Sequence, residues 1–333
     1  MTSQAPGSGE TMKAIVYRRY GSPDVLELQE IARPVPADDG VLLRIHAASL
    51  NALDWHFLRG IPYLARFSTG LRSPKRSIPG VDVAGTVVAV GRNVTRHRPG
   101  DEVFGEKSRG CAEYVAAHED LLVPKPASLT LVEAAAIPAA GVTALQVIRD
   151  KAKVKPGQTV LINGAAGGVG TFAVQIAKAY GAEVTGVTST KNVDLVRSLG
   201  ADHVVDYTRE DFTRSGQRYD VIVDNVGNRS IWAFRRALAA DGAVVMVGAP
   251  YGRWILPTLF KLIAPGVVSR ITRRRFLNHL TDIHREDLEE MAELVETGKV
   301  KPVIDRCYPL SEVPDAIRYL ETMHARAKVV ITI

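Results

Sequence analysis

Cysteine is nearly absent: the 333-residue chain has two, Cys111 and Cys307. Two cysteines cannot build a disulfide framework or a four-cysteine zinc lobe. Both have apolar neighbours and read as core residues or inert thiols rather than nucleophiles. No run approaches the ~20 consecutive apolar residues of a membrane span. A strong charge of one sign is missing too. The net charge of +6 suits anionic ligands but is not the footprint of a nucleic-acid binder. The opening residues, MTSQAPGSGET, lack the basic and apolar regions of a signal peptide, so residues 1–11 are expected to be a disordered tail and the protein cytoplasmic. Internal repeats are absent. What is present, 46% hydrophobic and 23% charged residues, is the composition of a globular chain, and its length allows two domains.

One stretch organises the rest. Thr159 to Asn192 reads as strand, glycine-rich turn, amphipathic helix and second strand. Val169, Phe172, Ala173, Ile176, Ala177 and Tyr180 recur at helical spacing and form one apolar stripe. Gly181 ends that helix, and Glu183 to Ser189 runs apolar like a buried parallel strand. The turn between has the spacing of G-x-G-x-x-G, with Ala165, Gly167 and Gly170 at the three positions and Gly168 as an extra glycine. Glycines there let backbone N–H groups approach a pyrophosphate, and the helix N-terminus adds its positive dipole end. In this strand–turn–helix–strand context the motif reads as a dinucleotide cradle.

Before the cradle, short apolar runs are separated by Pro- and Gly-rich turns: Met12–Tyr17, Val25–Leu28, Val41–His46, Val83–Val90 and Tyr114–Ala116. Closely spaced short strands of this kind argue for a small barrel-like β domain. Leu131 to Asp150 is alanine-rich and helical, interrupted by Pro138 and Gly141. After the cradle, strands at His203–Asp206, Val221–Asp224 and Ala243–Val247 alternate with helices at Val193–Leu199 and Ile231–Ala240. That alternation means a parallel sheet with helices on both faces. Tyr251 to Leu280 mixes apolar pieces with Arg270, Arg273, Arg274 and Arg275, which read as a solvated surface. Glu286 to Glu296 is an amphipathic helix, and short strands close the chain.

Together these residues resemble the medium-chain dehydrogenase/reductase superfamily from Met12 onward. The markers are Met12–Tyr17, IPGVDVAGTVVAVG at 78–91, PGDEVFG at 99–105, AAGVTAL at 139–145, the cradle, and KPVIDRCYPL at 301–310. The resemblance implies an α/β chain: a GroES-like β-barrel catalytic domain (12–128 and 272–333) plus a Rossmann doubly wound parallel-sheet domain (129–271). Zinc alcohol dehydrogenases of the superfamily carry a Cys near the end of the first loop and a Gly-His-Glu. Here Asn51 stands near the Cys position, and Gly80-Val81-Asp82 replaces Gly-His-Glu. Valine cannot ligate zinc, and neither His46 nor His56 has a partner at ligand spacing. The chain therefore resembles the zinc-free quinone-oxidoreductase branch, and no metal is expected.

The second strand of an NAD site normally ends in an acid that binds the ribose hydroxyls. Here that place falls near Ser189, in a segment with no carboxylate. Ser189 and Lys191 offer a hydroxyl and a cation to a 2′-phosphate, although Ser189 also suits a helix cap. The resemblance adds Tyr207 beside the same phosphate. NADPH is the expected cofactor. Further contacts are expected from Thr143, Val169, Asn225, Val247 and Gly248, the last three ending parallel strands at the ligand edge.

Without zinc, the acceptor itself must be electrophilic, which favours a quinone or an α,β-unsaturated carbonyl. Asn51 is a candidate to hydrogen-bond the nicotinamide ribose or the substrate carbonyl. His56 or Tyr63 is a candidate donor to the substrate oxygen, with solvent as the other proton source; Asp54 either holds the loop or takes part. Two alternatives stand beside a quinone or enone reductase: a regulatory protein that binds NADPH without turnover, and an alcohol dehydrogenase-like enzyme. A homodimer is expected by analogy with the branch.

Overall fold

The computed structural model describes residues 9–63, 66–75, 77–247, 266, 269–270 and 274–333. In chain order it holds β1 (Thr11–Val16), β2 (Glu27–Ala32), β3 (Gly40–Leu50), α1 (Ala52–Arg59), α2 (Arg66–Thr69), β4 (Asp82–Val90), β5 (Glu102–Glu106), β6 (Tyr114–His118) and β7 (Leu122–Pro124). Two helices follow, α3 (Leu131–Ala135) and α4 (Pro138–Gln146). Then come β8 (Thr159–Asn163), α5 (Gly168–Ala179), β9 (Glu183–Thr188), α6 (Val193–Ser198), β10 (His203–Asp206), β11 (Tyr219–Asp224), α7 (Ile231–Ala237), β12 (Leu238–Met246) and β13 (Arg275–Asn278). The chain closes with α8 (Arg285–Glu296), β14 (Ile304–Pro309), α9 (Val313–Glu321) and β15 (Lys328–Thr332).

β8 to β13 form a six-stranded sheet in the order β10-β9-β8-β11-β12-β13, and its pairs are parallel. Residues along β8 alternate between the two faces. Val160 and Ile162 join the larger core with Phe172 and Ile176 of α5. Leu161 joins the opposite core with Ile222, Phe234 and Phe276. A strand covered on both faces needs no polar residue at alternate positions, which is why TVLIN carries a near-continuous apolar run. The strand order reverses between β8 and β11, the crevice where doubly wound sheets hold ligands.

The second large sheet runs β14-β15-β3-β4-β5-β7, with β6 also paired to β3. Both chain ends contribute to it. β15 is antiparallel to β3, with Val329 opposite Leu50 and Ile331 opposite Ala48. β13 belongs to the parallel sheet, beyond residue 271 where the sequence reading places the return to the barrel.

Several local expectations shift. Val25 ends a short 3-10 turn, Pro23–Val25, because Pro23 suits a first helical position; the strand begins at Glu27 instead. The α7 helix stops at Ala237 rather than Ala240, and β12 starts at Leu238 in register with Tyr219. The segment from Asn51 to His56 is the start of a helix rather than a loop. Cys111 is buried and Cys307 exposed; burial pushes the Cys111 thiol up. Arg270 and Arg275 are exposed and Arg274 is half-buried, while Arg273 lies outside the described residues.

Candidate active site

The cradle closes the C-terminal end of β8. Gly164 has φ +78°, and the N–H groups of Gly164 and Ala165 both reach the Val187 carbonyl, at 3.2 and 3.0 Å. The left-handed residue of the turn is therefore Gly164, one position before the first motif position. That frees Ala165 to carry a methyl, which is fully buried beneath Gly186. Gly167 is the residue before α5, and its N–H reaches Gly164 O at 3.1 Å. Gly170 is obligatory: a Cβ there would sit 2.1 Å from the Gly164 carbonyl oxygen. Gly168 and Val169 begin α5 and are half-buried at the cleft edge.

Neighbouring strand ends complete this edge. Asn225, after β11, gives its side-chain N–H to Asn163 O at 3.2 Å, while its Oδ1 is buried without a hydrogen-bond partner. A buried acceptor left unsatisfied is costly unless a ligand donor reaches it. Val247 continues from β12, its N–H bonded to Asp224 O at 2.9 Å. Gly248 lies outside the described residues, as does most of 251–276, the expected pocket wall. Thr143 is buried on α4, its hydroxyl 2.5 Å from Ala139 O and 2.7 Å from Thr281 Oγ1.

At the end of β9 the structure gathers the residues expected around a 2′-phosphate. Ser189 is half-buried and Lys191 exposed. Tyr207 is 52% exposed and its N–H bonds Thr188 O at 2.9 Å. Ser189 makes no side-chain cap bond, although Asn192 Nδ2 lies 3.4 Å from its Oγ. One carboxylate also sits nearby, Asp206 at the end of β10. It accepts from the Thr190 and Thr208 hydroxyls at 2.5 and 2.7 Å. The Thr190 bond, ahead of those from Thr208, holds its carboxyl below the usual range.

The barrel side of the site is a polar cluster at the start of α1. Asn51 caps this helix, and its N–H donates to Asp54 Oδ2 at 2.7 Å. The N-x-x-D spacing is half of a capping box, a signal that marks this stretch as a helix start. Asp54 Oδ1 accepts from Gly80 N at 2.7 Å. Burial, opposed by those two N–H bonds, raises the Asp54 carboxyl to about 6. Asp82, fully buried, accepts from Ser49 Oγ at 2.7 Å, Asn51 Nδ2 at 2.9 Å and the Ala139 N–H at 2.8 Å. Lys328, 2% exposed, gives its ammonium to Asn51 Oδ1 at 2.6 Å and to Asp82 Oδ2 at 3.1 Å. Sequence reading missed both charges, because nothing local to KVVITI marks its lysine as buried.

The remaining candidates differ in what they present. His56 is stacked on Trp55 at 3.7 Å, and burial holds its ring pKa below the ordinary value. Its Nδ1 lies 3.2 Å from the Ile61 carbonyl, so in the neutral ring the N–H sits on Nδ1 and Nε2 is an acceptor. Tyr63 is 37% exposed, with the Arg66 guanidinium 4.9 Å over its ring.

A catalytic zinc does not fit these residues. Val81 carries no donor atom, and the Asp82 carboxylate is already held by Ser49, Asn51, Ala139 and Lys328. Among the described residues no group of three or more His, Cys, Asp or Glu is placed to hold a metal ion. Nor does any described helix have the length and apolarity to cross a membrane.

A parallel sheet with a glycine cradle at its switch point, facing a barrel built from both chain ends, defines the class: two-domain nucleotide-binding dehydrogenases and reductases. Residues 37–127 match the family model of the alcohol dehydrogenase GroES-like domain, and 199–331 match that of zinc-binding dehydrogenases. The chain is 35% identical to a chloroplast envelope quinone oxidoreductase homolog of Arabidopsis thaliana, over 97% of this chain and 99% of that protein. It is 38% identical to a 2-methylene-furan-3-one reductase of Solanum lycopersicum, over 99% and 81%. The solved quinone oxidoreductase of Coxiella burnetii superposes with a TM-score of 0.84 at 32% identity, covering 97% of this chain and all of that one. The protein belongs to the medium-chain dehydrogenase/reductase superfamily, in its quinone-oxidoreductase-like branch.

Proposed function

We propose that the chain is an NADPH-dependent, zinc-independent oxidoreductase that transfers hydride to a quinone or an α,β-unsaturated carbonyl. The observation that carries this reading is the cradle of Gly164–Gly170 standing one side chain, Lys328, away from Asn51, with no metal-donor set among the described residues. The relatives fit it: two are named for quinones, and a 2-methylene-furan-3-one is itself a conjugated enone.

The dinucleotide fits the residues present. Backbone N–H groups at the start of α5 face its pyrophosphate, the orphaned Asn225 Oδ1 accepts from a ribose hydroxyl, and Thr143 borders the nicotinamide. Ser189, Lys191 and Tyr207 take the 2′-phosphate, Lys191 as its cation. Asp206 accepts from the Thr190 and Thr208 hydroxyls and is thereby committed to them rather than to ribose hydroxyls. When bound, the reduced nicotinamide supplies the hydride.

The chain's own residues orient the acceptor and stabilise charge on its oxygen. Asn51 offers a side-chain N–H, and Tyr63 or solvent supplies the proton. His56 shapes the pocket as a neutral ring. The segments 12–128 and 272–333 form the catalytic part and 129–271 the nucleotide part in this reading, with β13 lent to the nucleotide sheet. A homodimer through the outer edge of β13 completes it; a monomer by sedimentation at assay concentration overturns that element.

Steady-state kinetics with a quinone and enone panel, with and without chelator, test the reading. Turnover is expected with NADPH in preference to NADH and unchanged by chelator. An equal or better kcat/KM with NADH removes the 2′-phosphate assignment. Tight NADPH binding with no turnover on any acceptor replaces the enzyme with a binding protein.

A further inference from the structure

The buried pair of Lys328 and Asp82 does more than neutralise itself. An asparagine side chain has two ends of opposite character: Oδ1 only accepts and Nδ2 only donates. In Asn51 the accepting end meets an ammonium that can only donate, at 2.6 Å, and the donating end meets a carboxylate, at 2.9 Å. Turning the carboxamide of the half-buried Asn51 over would set N–H against ammonium and oxygen against carboxylate, two repulsive contacts. The pair at 0% and 2% exposure has little solvent to screen that penalty.

The cluster also stands beside the cradle. Ala327 N–H bonds Ala166 O at 2.7 Å, and Gly167 and Ala327 form a parallel bridge. A Cβ on Gly168 would lie 3.4 Å from Lys328 Cδ. Asn51 is thus held one lysine side chain away from the nucleotide turn. One of its two Nδ2 hydrogens is spent on Asp82, and the second is left for a ligand.

We propose that Lys328 is a positioning residue which, with Asp82, locks the Asn51 carboxamide in the orientation that presents an N–H donor to the bound cofactor ribose or acceptor oxygen. The inference rests on the reading above that Asn51 faces the ligand. Lys328 touches neither reactant in this role; it acts through Asn51. Any group of donor-only character at position 328 preserves the lock, and an apolar group releases it.

The test pairs a structural readout with a kinetic one. Removing Lys328 alone strands a buried carboxylate, so the releasing variant is the charge-neutral double substitution Lys328→Met with Asp82→Asn. In protein labelled with 15N-asparagine, the Asn51 side-chain resonances, identified by their loss in Asn51→Ala, are expected to exchange slowly with solvent in the parent and in Lys328→Arg. Exchange about tenfold faster or more is expected in the double variant. With NADPH and an enone, kcat is expected to fall about tenfold to a hundredfold in the double variant, as displaced catalytic geometry costs. In an Asn51→Ala background the same double substitution is expected to cost nothing further, because its effect passes through the missing carboxamide.

Unchanged amide exchange in the double variant overturns the lock. Kinetic losses that multiply in the triple variant overturn it too, since they reveal a role for Lys328 independent of Asn51. If the parent turns over no quinone or enone, the proposed function fails, while the exchange experiment still decides the lock.

Discussion

Glycine 170 and alanine 165 show how differently two positions of one motif are constrained. At 170 the helix crosses the turn so closely that a methyl would lie 2.1 Å from the Gly164 carbonyl oxygen. At 165 a methyl is accommodated, because the left-handed φ belongs to Gly164. Gly170→Ala is therefore expected to lose about 1–3 kcal/mol through overpacking and to weaken NADPH binding, whereas Ala165→Gly leaves binding intact. Thermal melts and a fluorescence titration of NADPH check both; a Gly170→Ala protein with parental affinity would show that the turn can spread. The motif spacing was readable in the sequence because glycine's special role is local. Which glycine carries the positive φ was not, since that depends on where the chain runs after β8.

Among the elements, α1 changes most between sequence and structure. Read as a loop, Asn51 to His56 offers Asn51 and His56 as candidate donors, with Asp54 either holding the loop or taking part. As a helix start it becomes a fixed arrangement, with Asn51 at the cap and Asp54 facing inward to Asn51 N and Gly80 N. Burial raises the Asp54 carboxyl from the usual 3.8 to about 6. The folded protein thus holds a proton that the unfolded chain releases between those values. The stabilisation linked to that proton is fully present below about 3.8 and is lost as pH rises through about 6, roughly 3 kcal/mol in all.

Denaturant unfolding of the parent and Asp54→Asn from about pH 4 to pH 8 isolates this contribution. The stability of the parent relative to the variant is expected to fall across that window, and a pH-independent difference would assign the carboxyl an ordinary pKa. The N-x-x-D signature that marks a helix start was present in the sequence. The burial that perturbs the acid was not, because it comes from Gly80 and its neighbours on another segment.

For the whole molecule, the C-terminal strand is what joins the two halves of the site. β15 lies between β14 and β3 in the barrel sheet, and the residue just before it, Ala327, is bonded to Ala166 and bridged to Gly167 of the cradle. Its apolar residues Val329, Val330 and Ile331 are fully buried, Val330 in the core shared with the parallel sheet and the others in the barrel core. Ile331→Ala is expected to cost about 2–5 kcal/mol, the usual range for emptying such a core site. Chemical denaturation measures it, and a loss below about 1 kcal/mol would mean that β15 is peripheral to the barrel.

The sequence alone determined the local parts: the cradle from its glycine spacing, the parallel sheet from alternating apolar strands and helices, and the loss of zinc ligands from the residue types at 51 and 81. Each of these is set by interactions between residues near one another in the chain, or by the absence of a donor atom. Only the tertiary structure decided which charges meet. Lys328 and Asp82 are 246 positions apart, and neither carries a local mark of burial. Asn225 Oδ1 is orphaned only because the strand ends around it enclose it. Desolvation and ion pairing depend on what the rest of the fold brings into contact, so the residues that orient Asn51 became visible only once both chain ends had closed the barrel.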